Sequence, residues 1–524
     1  MRFDVLIRGG QVLDGTGTPA RRADIGLLGD RIEAVEDLSL AEAGVVVDAA
    51  GRCVCPGFID VHSHSDAYLL IEPAAPSKVF QGVTTEVVGN CGASAAPRLG
   101  RYLMPSDWRA MPYPGSWRTV AEYRALLEQV KPAVNVVLLI GHNALRASVM
   151  GYEERRSTAD ELAEMKALLA RCMDEGGAGW STGLIYSPGM FAAPSEIVEL
   201  ARVVAGRKGI YTSHMRSEGG RLLEALDETI GVGRETGVRV QVSHLKTSGR
   251  ANWGLREAAL DRVRAARAEG LEVAADRYPY TASCTDLDVI LPDWAAGGGR
   301  EEVLTRLRDP ATRARIREEI AARRDAAYWE NLVIGSVRHP GNAGFKGRPI
   351  VEVARRLGLE PVDAALHLMD TDELHTSGIF FGMSEDNMWR ILAEPYVMIG
   401  SDASLRAPSG PLSRDHPHPR AYGAFPRFLR ASLDGRTVSP AEAVRKMTSL
   451  PARQFGLKDR GLIEPGMKAD IVVFDAGGVG DAATYEEPHR LARGIETLMV
   501  NGQAVLSGGK PTNVRPGRFL SSRR

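Results

Sequence analysis

The feature that most constrains the fold is a regular alternation of short apolar runs with helical patterns through the middle of the chain. The apolar runs are Pro56–Val61, Val83–Gly89, Val134–Gly141, Gly179–Leu184, Gly209–Ser213, Val238–Ser243, Leu271–Arg277 and Pro395–Ser401. Helical patterns such as 195–207, 219–236 and 253–269 separate most of them. Strands that alternate with helices pair in parallel, and eight of them close into a barrel. The chain is therefore predicted to form an α/β fold with a (β/α)8 TIM-like barrel.

Both ends of the chain contain short strand-like segments separated by turn dipeptides, and neither end has enough strands to bury a core. We therefore predict that residues 1–55 and 456–524 form one small β-sandwich beside a catalytic barrel of residues 56–455. Residues 278–394, between the last two barrel strands, are too many for a simple loop. They include a charged helical stretch from about Arg300 to Arg324, which predicts an inserted lid or subdomain at 284–345.

The charge balance excludes several classes of partner. The 524 residues contain 65 Lys and Arg against 66 Asp and Glu, which gives a net charge of −1. Nucleic acids and anionic membranes are bound by clustered basic excess, so we expect neither as a partner. We find no transmembrane run and no signal-peptide pattern, and we expect a cytoplasmic protein. The sequence does not indicate an oligomeric state.

A His-x-His motif ends the first apolar run, in the segment PGFIDVHSH at 56–64. Alternate residues of a strand share a face, so His62 and His64 project together. Two imidazoles on one rigid edge provide half of a metal site, since imidazole suits zinc and its neighbours.

Other zinc-competent side chains fall at the ends of further predicted strands, where barrel enzymes place their catalytic groups. The complete set is His62 and His64 after strand one, Cys91 after strand two, His214 after strand five, His244 after strand six and Asp402 after strand eight. Each has an ordinary structural explanation alone, but six such coincidences favour one metal site. His142 ends strand three, and we expect it to support the site or the substrate pocket.

These features resemble the amidohydrolase superfamily. Longer segments are similar to one branch of it, the N-acyl-D-amino-acid deacylases, or D-aminoacylases. They are GVTTEVVGNCG at 82–92, HMRSE at 214–218, SHLK at 243–246, GSD at 400–402 and PHPR at 417–420. The resemblance covers essentially the whole chain.

The resemblance implies a ligand set. Zinc would be held tightly by Cys91, His214 and His244, and His62, His64 and Asp402 would form a second, weaker position. In most two-metal relatives a carboxylated lysine after strand four bridges the metals. The segment GLIY at 183–186 offers no lysine here, and the thiolate of Cys91 would take that role.

The resemblance also implies an activity, the hydrolysis of N-acyl-D-amino acids to a carboxylate and a free D-amino acid. Asp402 would act as general base and then as general acid. Lys246, Tyr280 and Arg420 would bind the α-carboxylate of this small-molecule substrate. The loop 403–416 looks longer than in compact family members, and the sequence leaves open whether Arg216 or Arg406 faces the side-chain pocket.

Two alternatives remain at this point. A cyclic-amide hydrolase of the dihydroorotase or hydantoinase kind would use similar chemistry, but such enzymes normally show the carboxylated lysine. A non-catalytic metal-binding barrel would lack the proton-transferring aspartate, and Asp402 is present.

Overall fold

The computed structural model describes residues 2–109 and 111–521 of the chain. Its strands form three sheets of nine, eight and three strands. The strands are β1 Arg2–Val12, β2 Arg21–Leu28, β3 Arg31–Glu36, β4 Glu42–Asp48, β5 Cys53–Pro56, β6 Phe58–Asp60, β7 Val83–Val88, β8 Asn135–Gly141, β9 Gly179–Gly183, β10 Ile210–His214, β11 Arg239–Val242, β12 Val273–Arg277, β13 Ala282–Asp286, β14 Leu332–Ile334, β15 Ser377–Phe381, β16 Val397–Ile399, β17 Ile471–Phe474, β18 Ile495–Val500, β19 Gln503–Ser507 and β20 Lys510–Pro511. The α-helices are α1 Pro76–Val79, α2 Val120–Val130, α3 His142–Met150, α4 Ala159–Asp174, α5 Pro194–Gly206, α6 Leu222–Thr236, α7 Arg256–Ala268, α8 Asp293–Ala296, α9 Arg300–Arg308, α10 Pro310–Arg323, α11 Ala326–Glu330, α12 Ile350–Leu357, α13 Pro361–Thr371, α14 Glu385–Ala393, α15 Arg420–Leu433, α16 Pro440–Met447 and α17 Ser449–Gln454.

The eight-stranded sheet is the predicted barrel. Its strand order is β6-β7-β8-β9-β10-β11-β12-β16, and every ladder between neighbours is parallel. Each apolar run named above coincides with one of these strands. Helices pack on the outside, among them α4 on β8, α6 on β11 and α7 on β12. The α/β barrel predicted from the alternation is confirmed.

The seam between the first and last barrel strands closes at its upper end. Among the described residues, no ladder joins β6 to β16, and the contact is an isolated bridge between Ser63 and Ala403. The backbone N–H of Asp402 donates to the carbonyl of His62 at 2.7 Å. The seam is therefore joined at the level of the predicted metal ligands.

The barrel interior changes character along its axis. Its lower part is an apolar cluster that includes Ile59, Leu139 and Ile210. Above this cluster, polar side chains such as Gln241 and Asp276 are buried. The apolar layer stabilises the closed barrel by burying hydrophobic surface, and the polar layer leaves groups that can support chemistry at the mouth.

The two chain ends build the nine-stranded sheet together. Its order is β20-β19-β18-β17-β5-β1-β2-β3, and β4 pairs with β1. N-terminal Ile25 and C-terminal Ile471 pack in one separate core. Asn501 and Gly502 form the tight turn between β18 and β19, with φ angles of 48° and 80°. The predicted β-domain of both termini is confirmed, while its limits at residues 55 and 456 stay predictions.

The segment between β12 and β16 forms a subdomain above the barrel. It contains the antiparallel sheet β13-β15-β14 and helices α8 to α13. Its own hydrophobic core runs from Leu287 to Leu374. This core extends beyond the interval 284–345 that the sequence suggested, because β15 returns to pair with both β13 and β14. Within the described ranges, no helix is both long and apolar enough to cross a membrane.

Candidate active site

The side chains predicted as ligands meet at the C-terminal mouth of the barrel. They form two groups that share Cys91, one with His214 and His244, and one with His62, His64 and Asp402. In each group the ligand atoms lie within 4.8 Å of one another. The strands that carry them are spread along the sequence, but their C-terminal ends all open at one mouth of the barrel, which is why the parallel fold brings the side chains together.

Contacts inside the first group are short. Nε2 of His244 lies 3.0 Å from Nδ1 of His214 and 3.6 Å from Sγ of Cys91. From the second group, Nε2 of His62 lies 3.2 Å from the same sulfur. All four side chains are nearly or fully buried. Nitrogen lone pairs and a sulfur that converge this closely are arranged as ligands of a cation.

The backbone is strained at three of these residues. Cys91, His244 and Asp402 have φ angles of 52°, 36° and 50°, in the left-handed region that non-glycine residues avoid. Such strain costs of order 1–3 kcal/mol per residue and is retained mainly at functional sites. Gly400 shows a related constraint, because a Cβ there would lie only 2.5 Å from Cβ of His62.

Two buried carboxylates orient the imidazoles. Nδ1 of His62 lies 3.0 Å from Oδ1 of Asp276, and Nδ1 of His244 lies 2.7 Å from Oε1 of Glu218. A ring that donates from Nδ1 keeps its Nε2 lone pair free for a metal. Each carboxylate therefore fixes the tautomer that turns Nε2 towards Cys91.

The pKa shifts favour the metal-binding forms of Cys91 and His214, whereas the burial of His62 is outweighed by the charges of Asp276 and Cys91, which raise its pKa. Burial alone would raise the pKa of the Cys91 thiol, but the charge of His62 and hydrogen bonds from His214 and His244 hold it well below its ordinary value. Burial and the neighbouring His244 lower the pKa of His214. A thiolate and a neutral imidazole are the forms that coordinate zinc.

Asp402 is held between imidazoles and a guanidinium. Its Oδ1 lies 3.3 Å from Nε2 of His62 and 3.2 Å from Nε2 of His64, and its Oδ2 lies 2.7 Å from Nη1 of Arg420. Burial would raise the pKa of this carboxyl, but the charges of Arg420 and His62 keep it well below the usual range. Asp402 is therefore an ionised acceptor beside the candidate metal position.

The donor set fits zinc. Thiolate and imidazole are softer ligands than those magnesium or calcium prefer, and the first group combines one sulfur with two nitrogens. Three protein ligands with an open side are typical of a catalytic zinc site. The second group adds imidazole and carboxylate donors around the same sulfur.

A cavity of about 2250 Å³ opens above the ligands, between the barrel mouth and the inserted subdomain. Lys246 and Arg420 line its floor and are only 2% and 5% exposed. Tyr278 also lines it, with its ring centroid 4.4 Å from the Arg420 guanidinium and its hydroxyl buried without a partner. These groups can bind an anion next to the candidate metal position.

Tyr280, by contrast, is not brought to this floor. It does not line the large cavity, and its hydroxyl donates to Asp481 at 3.4 Å. Residues 278 and 280 are separated by Pro279, and the chain leaves the barrel here, so Tyr280 turns behind the site. The structure places Tyr278 where the sequence analysis expected Tyr280.

The sequence left open whether Arg216 or Arg406 faces the side-chain pocket, and the two residues make different contacts in the structure. Arg216 pairs with Glu228 at 2.9 Å and donates to the carbonyls of Met190 and Ala192, so it braces a loop outside the cavity. Arg406 lines the cavity but pairs with Asp415 at 2.5 Å.

His142 lies away from the ligands. Its Nε2 is 2.9 Å from Oε1 of Glu196, and its ring packs edge-on against Trp180. It is fully buried. Its expected support of the site or of the substrate pocket stays a prediction.

Sequence reasoning missed Asp276, Glu218 and Tyr278. Asp276 is the residue before the last one of β12. Because functional side chains of such barrels lie at the C-terminal ends of strands, this position could have been predicted from the sequence. Glu218 lies inside the HMRSE motif, but its role depends on contacts with two residues of the next strand loop. Tyr278 could not be distinguished from Tyr280 by residue type.

Comparisons with known proteins agree with this geometry. The sequence profile of a family described as the amidohydrolase family matches residues 45–506. An N-acyl-D-glutamate deacylase from Alcaligenes xylosoxydans xylosoxydans is 40% identical, over 99% of this chain and 96% of its own length. A D-aminoacylase from the same organism is 38% identical, over 99% of this chain and 98% of its own length.

A solved structure is similar over the whole chain. It is an N-acyl-D-glutamate deacylase from Bordetella bronchiseptica, complexed with zinc and a phosphonate inhibitor that mimics the tetrahedral intermediate. It is 36% identical, with a TM-score of 0.86, and the match covers 99% of this chain and 100% of that one. The chain therefore belongs to the amidohydrolase family and, within it, to the D-aminoacylase group of N-acyl-D-amino-acid deacylases.

Proposed function

We propose that this protein is a zinc-dependent hydrolase that cleaves N-acyl-D-amino acids into a carboxylate and a free D-amino acid. The observation that carries the proposal is the convergence of Cys91, His214 and His244 beside an ionised Asp402. Its support from relatives is the 40% and 38% identity, over nearly full length, to proteins named for this kind of deacylation.

Cys91, His214 and His244 would hold the tightly bound zinc, and His62, His64 and Asp402 would supply a second, weaker position. When bound, zinc lowers the pKa of water to around 7 and polarises an amide carbonyl. The chain contributes rigid donors to this chemistry. Asp276 and Glu218 lie against the Nδ1 atoms of His62 and His244 and turn their Nε2 atoms inward.

Asp402 carries the proton. Its ionised carboxylate accepts a proton from the attacking water and then delivers it to the amide nitrogen. Amide cleavage needs this second step because a free amide anion is too basic to leave. Arg420, at 2.7 Å from Oδ2, orients the carboxylate so that Oδ1 faces the imidazoles of His62 and His64.

Lys246, Arg420 and Tyr278 would bind the α-carboxylate of the substrate. Lys246 and Arg420 already pair with Glu218 and Asp402. The substrate carboxylate would therefore use their remaining N–H donors together with the Tyr278 hydroxyl, which has no hydrogen-bond partner among the described residues. Anchoring the α-carboxylate fixes the amide relative to Asp402, which lowers the entropic part of the barrier.

The cyclic-amide alternative lacks its key residue in this chain. Those enzymes use a lysine after strand four, whereas β9 ends at Gly183 and continues into Leu184, Ile185 and Tyr186. The Tyr186 ring packs edge-on against His214. This arrangement supports hydrolysis of linear amides.

A substrate panel tests the proposal. N-acetyl derivatives of D- and L-methionine, glutamate and aspartate would be assayed beside hydantoin and dihydroorotate, with zinc measured on the same sample. We expect hydrolysis of D-substrates, with at least one zinc per chain. Activity confined to L-substrates would contradict the stereochemistry, and activity confined to the rings would contradict the proposal itself.

A further inference from the structure

Glu218 connects the candidate metal site to the candidate carboxylate site through one oxygen atom. Its Oε1 lies 2.7 Å from Nδ1 of His244 and forms an ion pair with Nζ of Lys246. Those two nitrogens lie 2.8 Å apart. A ligand imidazole and a substrate-binding ammonium thus share a single acceptor.

The position of Glu218 is itself fixed by the fold. It follows His214 in the loop between β10 and α6, and its carbonyl accepts from the backbone N–H of Ser248 at 2.7 Å. Its side chain is only 14% exposed, at the wall of the cavity. The carboxylate therefore has little freedom to leave His244 and Lys246.

We propose that Glu218 is a positioning residue for both sites: it presents Nε2 of His244 to the metal and holds Nζ of Lys246 towards the substrate carboxylate. When Nδ1 of His244 donates to Glu218, the Nε2 lone pair faces His214 at 3.0 Å and Cys91 at 3.6 Å. The same carboxylate compensates the charge of Lys246, which would otherwise lie uncompensated against the ligand imidazole.

A shared anchor makes the two sites depend on each other. Metal binding orders His244 and hence Glu218 and Lys246, so it prepares the carboxylate site. Coupling between two binding events is reciprocal, so an anion on Lys246 also strengthens metal retention. A D-amino acid product should therefore slow the loss of zinc to a chelator.

The test compares Glu218→Gln with Glu218→Asp and the control Glu228→Gln. Glu228 sits ten positions further on and pairs with Arg216 at 2.9 Å, outside the ligand groups. Zinc affinity is measured by chelator competition, and the visible spectrum of the cobalt-substituted protein reports the ligand geometry. We expect Glu218→Gln to weaken zinc binding by about 10- to 100-fold. We expect Glu218→Asp to recover part of this loss and Glu228→Gln to match the parent protein.

The substrate half of the inference rests on the proposed function. At saturating zinc, we expect Glu218→Gln to raise KM for N-acetyl-D-amino acids several-fold while kcat changes less than about threefold, because the interaction lost is uniform binding. A purely structural role would not separate the two constants in this way.

The zinc measurements test the role of Glu218 at the metal site, and the kinetic measurements test its role at the substrate site. Unchanged zinc affinity and cobalt spectrum in Glu218→Gln would overturn the metal half, and an unchanged KM would overturn the substrate half. If the parent protein hydrolyses no N-acyl amino acid, the proposed function fails, whereas the zinc comparison still decides the metal half. If Glu218→Gln does not fold by circular dichroism, Glu218→Asp against Glu228→Gln supplies the same zinc comparison.

Discussion

Two groups of buried polar and charged side chains lie in the upper part of the barrel, one around Lys78 at the seam and one formed by the candidate metal ligands at the mouth. They differ in what their donors and acceptors face. Around Lys78, which is fully buried, Nζ donates to Asp60 at 2.9 Å and to Ser401 at 3.0 Å, with Glu86 at 3.1 Å. Every cationic donor there has an acceptor. This group joins the two sides of the seam, because Lys78 also donates to the carbonyl of Ala403.

The ligand group shows the opposite pattern. Nε2 of His244 faces Nδ1 of His214 at 3.0 Å, and the Cys91 sulfur is close to both His62 and His244. Lone pairs face one another, the group opens onto a cavity, and its backbone is strained. Burial and charge are common to both groups. Nitrogen and sulfur lone pairs that face one another and open onto a cavity distinguish a site that takes a cation from one that supports the fold.

The largest expected effect is that of Asp402→Asn, in the ligand group. The amide keeps the size of the side chain but cannot accept a proton, so we expect kcat to fall by about 10³-fold, within the range for general acid–base groups. Tight zinc binding should persist because Cys91, His214 and His244 are untouched. Steady-state kinetics with zinc analysis on the same sample measure both effects, and unchanged turnover would contradict the assigned role.

The role of the Lys78 group in stability is tested by Lys78→Met. Removing the ammonium leaves the carboxylates of Asp60 and Glu86 buried without their cation, which typically costs about 3–5 kcal/mol. Urea unfolding measures the loss. The control Lys166→Met breaks an ion pair whose partners are each 38% exposed, and should cost no more than about 1 kcal/mol. Equal losses of unfolding free energy in Lys78→Met and Lys166→Met would contradict the stabilising role of the buried group.

Lys446 sharpens the comparison, since it is buried without a close carboxylate and donates to the carbonyl of Glu394. Burial lowers its pKa from 10.5 to about 7. The unfolded chain therefore binds more protons between pH 7 and 10.5, and the contribution of Lys446 to stability rises with pH across that window. A pKa shift of this size corresponds to about 4 kcal/mol at pH 7. The substitution also removes the donor to the Glu394 carbonyl, which costs about 2 kcal/mol. We therefore expect Lys446→Met to be more stable than the parent at pH 7 by about 2 kcal/mol and to lose this advantage towards pH 10. Urea unfolding at several pH values measures the free energy of unfolding of both proteins. If this free energy changed with pH in the same way in both, the assignment to Lys446 would be contradicted.

The smallest expected effect is a difference in KM between Tyr278→Phe and Tyr280→Phe. Tyr278→Phe removes a buried hydroxyl that lines the cavity, and we expect KM to rise by about tenfold, equivalent to about 1.4 kcal/mol. Tyr280→Phe should change KM less than twofold, because its hydroxyl faces Asp481. A larger effect at Tyr280 would restore the assignment made from the sequence.

Most of the fold could be predicted because it depends on local patterns. The eight apolar runs each became a barrel strand, and the turn at Asn501 and Gly502 joined its two strands. The extent of the insertion could not be read in this way. Its last strand, β15, pairs with β13, and its sequence gives no sign of that long-range partner.

The six ligand candidates could be predicted because strand ends of a parallel barrel meet by geometry alone. The residues that orient them could not. Asp276 and Glu218 act through single contacts with His62 and His244, and a contact of about 3 Å depends on rotamers and loop paths that no spacing rule encodes.

By itself, the sequence determined the order of strands and helices and the chemical types at the strand ends, because both follow from local periodicity. Only the tertiary structure decided which tyrosine faces the cavity, which arginines are already paired and which carboxylate holds two sites together. Those outcomes depend on side-chain packing between distant segments, and a shift of a single residue along a strand reverses the direction in which a side chain points.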